Sequence, residues 1–230
     1  MHACRGFPAG TSALHVNDLL VKVLVSYLLG SIVGSLWIGR LRGGVDIRKL
    51  GSGNAGGTNA LRTQGKSFAL WVLIIDIGKG WIAVRLIAPL LLPGIEPPPF
   101  YVATWEPALC GIAAIAGHVY PLWHGFRGGK GVATLVGVVV GLEVSLLLPM
   151  LLTWFIAAVL FGYVGLASML AAASIPLYVA LTGLEPGLSL TTFGVVATAM
   201  IVFTHRSNIA RMRARTEPRA KRLWLFGRNR

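Results

Sequence analysis

From Val132 to Leu181 the chain is almost unbroken apolar sequence, interrupted by Glu143, Pro149 and the run Gly162-Tyr163-Val164-Gly165, with Glu185 just beyond. A stretch of about fifty such residues is longer than any one bilayer crossing, which takes about 17 to 25. The remainder agrees: 55% of the 230 residues are hydrophobic, 13% are charged, and mean hydropathy is +0.71. That excludes an ordinary soluble domain and makes lipid the solvent. The expected fold class is an all-α integral membrane protein.

Other apolar runs predict helices over Leu19–Gly39, with Gly30, Gly34 and Gly39 allowing close packing, over Ser67–Leu92, over a short Ala108–Val119, and over Leu190–Thr204. Pro93 to Pro107, with five prolines, reads as a loop. Residues 1–18 lack the features of a cleaved leader and read as a poorly ordered extension, residues 19–212 as the membrane domain and 213–230 as a basic cytoplasmic tail.

Charge sets the topology. The excess of 21 Lys and Arg over 8 Asp and Glu gives a net +13, and the basic residues cluster between the apolar runs. Arg40 to Lys66, Arg127 to Lys130 and the tail from His205 are all basic, so all are expected in the cytoplasm, separated by even numbers of crossings. Two crossings fit between the first pair of clusters. The last helix is one crossing after Lys130, so an odd number precedes it, and three short spans averaging about 15 to 16 residues fit the long stretch. The total is about seven, with the N-terminus outside and the C-terminus cytoplasmic; five is the alternative count. Nucleic acid is not indicated as a partner, because the basic segments are loops between spans. Cys4 and Cys110 form no ligand pattern, and no metal is expected.

The first basic loop holds Arg48-Lys49-Leu50-Gly51-Ser52-Gly53-Asn54-Ala55-Gly56-Gly57-Thr58-Asn59-Ala60-Leu61-Arg62. Its glycines let backbone N–H groups turn toward an anion, Ser52, Thr58 and Asn59 are neutral donors, and Arg62 offers a fork suited to phosphate. Gly51, Gly53 and Gly56 satisfy GxGxxG, but no strand precedes them, so a dinucleotide fold is excluded. Asp76 and Lys79 read as a pair on one helix face, structural or functional. The second loop, Gly117 to Gly131, sets Gly128, Gly129, Lys130 and Gly131 before an apolar helix, where a phosphate would meet a helix N-terminus and a lysine together. His118 and His124 read as acid/base groups, ligands or interfacial residues. In the third cluster, His205, Asn208 and Arg211 share one helix face.

Taken together, these clusters resemble the bacterial membrane glycerol-3-phosphate acyltransferases that use acyl phosphate as donor. The likeness extends from about Leu19 to Arg219. It rests on Gly51 to Asn54 with Gly56, Thr58, Asn59 and Arg62, on Gly117-His118, Pro121, Phe126 and Gly128 to Thr134, and on His205, Asn208-Ile209, Arg211 and Glu217. The resemblance implies seven helices around a groove open to the cytoplasmic leaflet of the bacterial inner membrane. It also implies transfer of an acyl group to the 1-hydroxyl of sn-glycerol 3-phosphate, giving lysophosphatidic acid and phosphate. By motif match, Ser52 and Arg62 hold substrate phosphate, Gly51, Gly53, Asn54, Thr58 and Asn59 build the cradle, and Gly128 to Gly131 with Lys130 take a second phosphate. His205 and Asn208 line the glycerol phosphate site, with His118, Ser168, Arg211 and Glu217 supporting. No cofactor or covalent nucleophile is implied. The donor's soluble acyl-phosphate synthase is the expected docking partner.

Two departures stand out. Where the family commonly has Arg-Tyr-Val-Ser, this chain has Gly162-Tyr163-Val164-Gly165, and Gly57 replaces a usual Ala. Two other functions compete. A transporter of a phosphorylated solute would place charge and broken helices at mid-membrane. A thioester-using acyltransferase often carries HxxxxD, but His118, His124 and His205 are followed at the fifth position by Trp123, Gly129 and Ala210.

Overall fold

The computed structural model describes residues 9–94, 97–220 and 223–227. Among these it is helical throughout, with no strand: α1 Ala9–Gly30, α2 Gly34–Leu41, α3 Gly57–Gln64, α4 Lys66–Ile82 continuing through a π-helical Ala83–Ile87, α5 Phe100–Ala103, α6 Glu106–Val119, α7 Val132–Leu142, α8 Leu147–Phe161, α9 Val164–Thr182, α10 Gly187–Thr204 and α11 Arg206–Arg213. By length and composition four helices can cross a membrane, or five if the bent pair α1 and α2 is one span. The long apolar stretch divides into α7, α8 and α9. The breaks fall at Glu143, which caps a 3-10 turn by accepting from the Ser145 amide at 3.0 Å, and at Gly162.

Gly162 has φ +75, a left-handed conformation that disfavours any side chain, and it ends α8. The outward faces of α8 stay apolar and exposed, as at Leu148, Leu152 and Phe155, which suits lipid contact. The main core packs α6, α7, α9 and α10 around Ile115, Leu135, Val138, Ile175, Phe193 and Ile201.

The fold corrects two expectations. α1 begins at Ala9, so the second half of the expected N-terminal extension is helix; residues 1–8 lie outside the described residues. The first span is not one straight helix, because α1 and α2 meet at 47° across Ser31–Val33. Two further charged groups lie away from the loops: Asp76, Lys79 and His118 are buried inside the bundle, and Asp18, Lys22 and Glu106 are buried near its other end.

The bend and the buried charges explain each other. Breaking a helix frees backbone groups that lipid cannot satisfy. Here the Gly34 amide donates to Asp76 Oδ1 at 3.0 Å and Lys79 Nζ donates to the Ile32 carbonyl at 2.8 Å, so α4 closes the break. Lys79 and Asp76 lie 2.9 Å apart, and His118 Nδ1 lies 2.9 Å from Lys79 Nζ. The pair that sequence leaves undecided thus holds α1, α2, α4 and α6 together. Close helix contact makes the reach short: a Cβ on Gly117 would lie 2.1 Å from the Tyr27 carbonyl oxygen, and one on Gly30 2.2 Å from that of Ala114.

Candidate active site

α1, α4, α6, α7 and α10 run so that the C-termini of α1, α6 and α10 and the N-termini of α4 and α7 share one end of the bundle, and the three polar clusters sit there. The first loop is built around Asn59, which is buried on α3. Its side-chain nitrogen lies 3.0 Å from the carbonyls of Ile47, Leu50 and Asn54, and its oxygen accepts from the Ser52 amide at 3.0 Å. Its donors are spent on the loop itself, so Asn59 shapes the cradle and has none left for a ligand. At Gly51, φ is +56 and a Cβ would fall 2.3 Å from Asn59 Oδ1, so a side chain there would push the carboxamide out of place.

What the loop leaves open is the hydroxyls of Ser52 and Thr58 and the guanidinium of Arg62, all exposed. Arg62 has no ion-pair or hydrogen-bond partner among the described residues. An unpaired guanidinium beside a glycine-rich turn, with α3 opening from Gly56, is an anion-binding arrangement.

Arg48, a residue sequence reasoning gave no role, ties the first loop to the second. Asp46 pairs with it at 2.9 Å, holding its guanidinium, and Arg48 in turn keeps the Asp46 carboxyl below the usual range. Arg48 Nη1 then donates to the carbonyls of His124 at 3.1 Å and Arg127 at 2.9 Å. The signal was present in sequence as Asp-x-Arg; the carbonyls that it meets were not.

The second loop folds tightly over the end of α6. Gly128 and Gly129 donate their amides to the carbonyls of Val119 and His118, both at 3.1 Å. Those two amides are therefore not free for a phosphate, which corrects the expectation for Gly128 and Gly129. They matter as space: a Cβ would come 1.9 Å from the His118 oxygen at Gly128 and 2.2 Å from His118 Nε2 at Gly129. His118, expected as a supporting site residue, lies beneath the loop in the buried charge group. Gly131, with φ +86, caps α7.

Lys130 is the cation this loop presents, and it joins the third cluster. Its Nζ donates to Asn208 Oδ1, Asn208 Nδ2 donates to Glu217 Oε1 at 2.6 Å, and Arg211 Nε donates to Glu217 Oε2 at 2.6 Å. Burial pushes the Lys130 ammonium down to about 8, with Glu217 offsetting part of the effect. His205 caps the end of α10, and its Nδ1 donates to the Ile201 carbonyl at 2.8 Å, which leaves Nε2 as the lone-pair nitrogen. Burial and the nearby Lys130 push His205 down to about 4, so it is neutral at physiological pH.

Two expectations change here. Ser168 donates to the Val164 carbonyl at 2.9 Å and accepts from the Trp154 indole at 3.3 Å, so its hydroxyl ties α8 to α9. The tail is also more than a loose basic segment. Arg219 lies over the rings of Tyr163, at 4.8 Å, and Trp224, at 3.9 Å, and the Ala220 amide donates to the Gly162 carbonyl at 2.8 Å. A Cβ at Gly162 would sit 2.8 Å from Trp224, so the missing arginine of the motif leaves the space that the tail fills. Gly165 likewise leaves Asn208 room, 3.1 Å from where its Cβ would be.

Comparison with known proteins agrees with the motifs. The family model described as glycerol-3-phosphate acyltransferase matches residues 20–215. The glycerol-3-phosphate acyltransferase of Geotalea daltonii is 42% identical over 203 residues, 88% of this chain and 98% of that one. That of Parasynechococcus marenigrum is 38% identical over 212 residues, 92% of this chain and 94% of that one. Among solved structures, PlsY, an integral membrane glycerol 3-phosphate acyltransferase, in its glycerol 3-phosphate form superposes with a TM-score of 0.73 at 35% identity, over 87% of this chain and 94% of that one. Its lysophosphatidic acid form gives 0.72 at 34%, with the same coverage. The chain therefore belongs to the PlsY-type family of integral membrane glycerol-3-phosphate acyltransferases.

Proposed function

We propose that the protein transfers an acyl group from acyl phosphate to the 1-hydroxyl of sn-glycerol 3-phosphate, releasing lysophosphatidic acid and inorganic phosphate. The observation that carries this reading is the linkage of three anion-suited clusters at one end of the bundle: Arg48 joins the first to the second, and Lys130 with Asn208 joins the second to the third. Two phosphates need holding at once, and the cluster offers Ser52, Thr58 and Arg62 on one side and Lys130 and Arg211 on the other. Relatives with glycerol 3-phosphate and lysophosphatidic acid forms support the acceptor and product.

The chemistry is modest because the donor is an activated mixed anhydride. The C1 oxygen of glycerol 3-phosphate attacks the acyl carbon, the bond from that carbon to the phosphate oxygen breaks, and phosphate leaves with the hydroxyl proton. Catalysis then consists of orientation and charge stabilisation. Neutral His205, with Nε2 unprotonated, accepts a hydrogen bond from the attacking hydroxyl, while cations around the leaving phosphate take up its growing charge. For the acyl chain, an apolar groove of about 620 Å³ runs between α1 and α2, walled by Leu28, Ile32, Trp37 and Trp123 and ending at Arg40 and His124. Its polar end adjoins the loops.

In this reading seven helices, α1, α4 and α6 to α10, cross the bacterial inner membrane, with the N-terminus outside and the loops cytoplasmic. The basic character of all three loops supports that orientation. A soluble acyl-phosphate synthase docks on the basic cytoplasmic face, and reversing Arg213 and Arg215 to Glu is expected to weaken that association. A pull-down unaffected by the reversal would remove charge as its basis.

A transporter of a phosphorylated solute is the second reading, favoured by the bent α1–α2 pair and the charges buried beside it. Purified protein in lipid, given radiolabelled glycerol 3-phosphate with palmitoyl phosphate or palmitoyl coenzyme A, separates the readings. Lysophosphatidic acid is expected from palmitoyl phosphate alone, and Arg62→Ala is expected to abolish it. Product from the thioester would reassign the donor. Binding of glycerol 3-phosphate with no product from either donor would favour transport.

A further inference from the structure

The end of the bundle opposite the loops holds a second buried ionic group. Asp18 and Lys22 lie one turn apart on α1, and Glu106 opens α6. Lys22 Nζ is 2.7 Å from Asp18 Oδ2 and 3.1 Å from Glu106 Oε2, and all three side chains are 5% exposed or less. Two carboxylates around one ammonium leave a net charge of −1.

The geometry shows where that charge is uncompensated. Asp18 Oδ1 and Glu106 Oε1 are both buried and have no hydrogen-bond partner among the described residues. A buried anionic oxygen without a donor is costly, so the site is built for something that it does not itself contain. Beside it lies a cavity of about 400 Å³, lined by Lys22 and Glu106, with Thr104, Ser189, Arg85 and Pro89 among its walls. Allowing about 30 Å³ per water, that volume takes a ligand of about thirteen heavy atoms.

The chemistry narrows the ligand. No group of three or more His, Cys, Asp or Glu residues suited to a metal exists among the described residues, and Lys22 already occupies the centre of the carboxylate pair. Glu106 Oε1 is closed to water in this conformation, so the carboxyl has to turn toward the cavity; a primary ammonium there, with three donors and one positive charge, then satisfies it and brings the group to neutrality. Arg85 lines the same cavity, is exposed and has no partner among the described residues, so the wall that offers a carboxylate also offers a free guanidinium for an anion. We propose that this cavity binds a ligand carrying a primary ammonium beside a phosphate, the chemistry of an aminophospholipid head group. The ammonium meets Glu106 and the phosphate meets Arg85. This site shares no residue with the loop clusters and does not depend on their function.

The test uses the full-length protein in nanodiscs of equimolar phosphatidylethanolamine, phosphatidylcholine and phosphatidylglycerol, followed by native mass spectrometry of retained lipid. Phosphatidylethanolamine is expected to be retained about tenfold over the other two, the effect of about one charge-assisted hydrogen bond, because phosphatidylcholine lacks N–H donors and phosphatidylglycerol lacks the cation. Glu106→Gln is expected to bring the three within about twofold. Soluble O-phosphoethanolamine in a thermal-shift assay forms the second arm: stabilisation there without lipid selectivity would keep the ligand chemistry and make its source a soluble metabolite. Equal retention of all three lipids with no shift from O-phosphoethanolamine overturns the proposal and leaves a proton as the compensating charge, as does a Glu106→Gln variant that keeps the preference. The wild-type comparison stands alone if the variant does not fold.

Discussion

The two ends of this bundle treat charge in opposite ways. At the loop end, Lys130, Asn208, Glu217 and Arg211 form a chain in which each charged group has a partner. At the far end, two carboxylates share one lysine and each keeps an oxygen without a donor. Between them, Asp76 Oδ1 and Lys79 bond the broken backbone of the first span, and Asp76 Oδ2 has no donor among the described residues. Charge in this molecule therefore does three jobs among the described residues: it links the clusters proposed to hold a substrate's phosphate, closes a helix break, and leaves two carboxylates around one lysine. The last is the locus where a ligand is proposed, because the Asp18 Oδ1 and Glu106 Oε1 oxygens meet no donor among the described residues.

The sharpest way to test that division is to remove the cation at the loop end. Lys130→Ala deletes the charge and the link between second and third clusters, and kcat/KM is expected to fall by about 100-fold or more, as when one preorganised donor is lost. Melting temperature should move little, since the remaining members stay paired. A loss of folding instead of activity would make the Lys130 chain structural, like the Asp76 group.

For the central group the expectation is the reverse. Asp76→Leu leaves Lys79 buried without its counter-charge and the Gly34 amide without an acceptor, which is expected to cost about 3 to 5 kcal/mol, read as a fall in thermal stability in detergent. Asp76→Asn keeps an acceptor for the amide and should lose less. Equal losses would mean that charge, not the backbone bond, is what Lys79 needs.

pH separates the roles of the two titratable groups at the loop end. In the proposed role Lys130 holds phosphate in its protonated form, and its value lies at about 8, so kcat/KM is expected to fall as pH rises through about 8. His205, at about 4, is already neutral at pH 6, so no second inflexion is expected between pH 5 and 7. An acidic limb in kcat over that range would mean that bound substrate raises His205 into it and that it takes up the proton.

Smaller effects probe the borders of the comparison. Trp224→Ala removes one face of the Arg219 stack and is expected to cost about 1 kcal/mol of stability. Glu106→Gln, at the opposite end from the loops, should change acyltransferase turnover by less than about twofold. A large loss of turnover there would show that the two ends are coupled through α1 and α6.

The three polar turns could be read from the chain, because glycines, hydroxyls and cations cluster there between apolar helices. Glycine with Ser52, Thr58 and Arg62, glycine with Lys130, and His205 with Asn208 and Arg211 each announce a polar turn between apolar helices. The division of labour within those turns was not legible. Asn59 and Arg62 look alike as polar loop residues, yet one faces inward to three carbonyls and the other outward to solvent. Gly128 and Gly129 look like anion ligands and prove to be the space in which His118 sits. Ser168 matches a family position, but its hydroxyl is taken by Val164 and Trp154.

What the sequence by itself determined is the solvent, the helical class and the turns that carry the three polar clusters. Those follow from hydropathy and from loop charge, which are local sums along the chain and need no partner. Tertiary structure alone decided where the first span bends, which charges meet, and where the tail returns. Asp76 meets Gly34 across 42 positions and Lys22 meets Glu106 across 84. Such pairings depend on which helix faces touch, and in this bundle that is set by glycines that admit a neighbouring backbone to within a Cβ's reach, a property of two surfaces together that no single stretch of sequence carries.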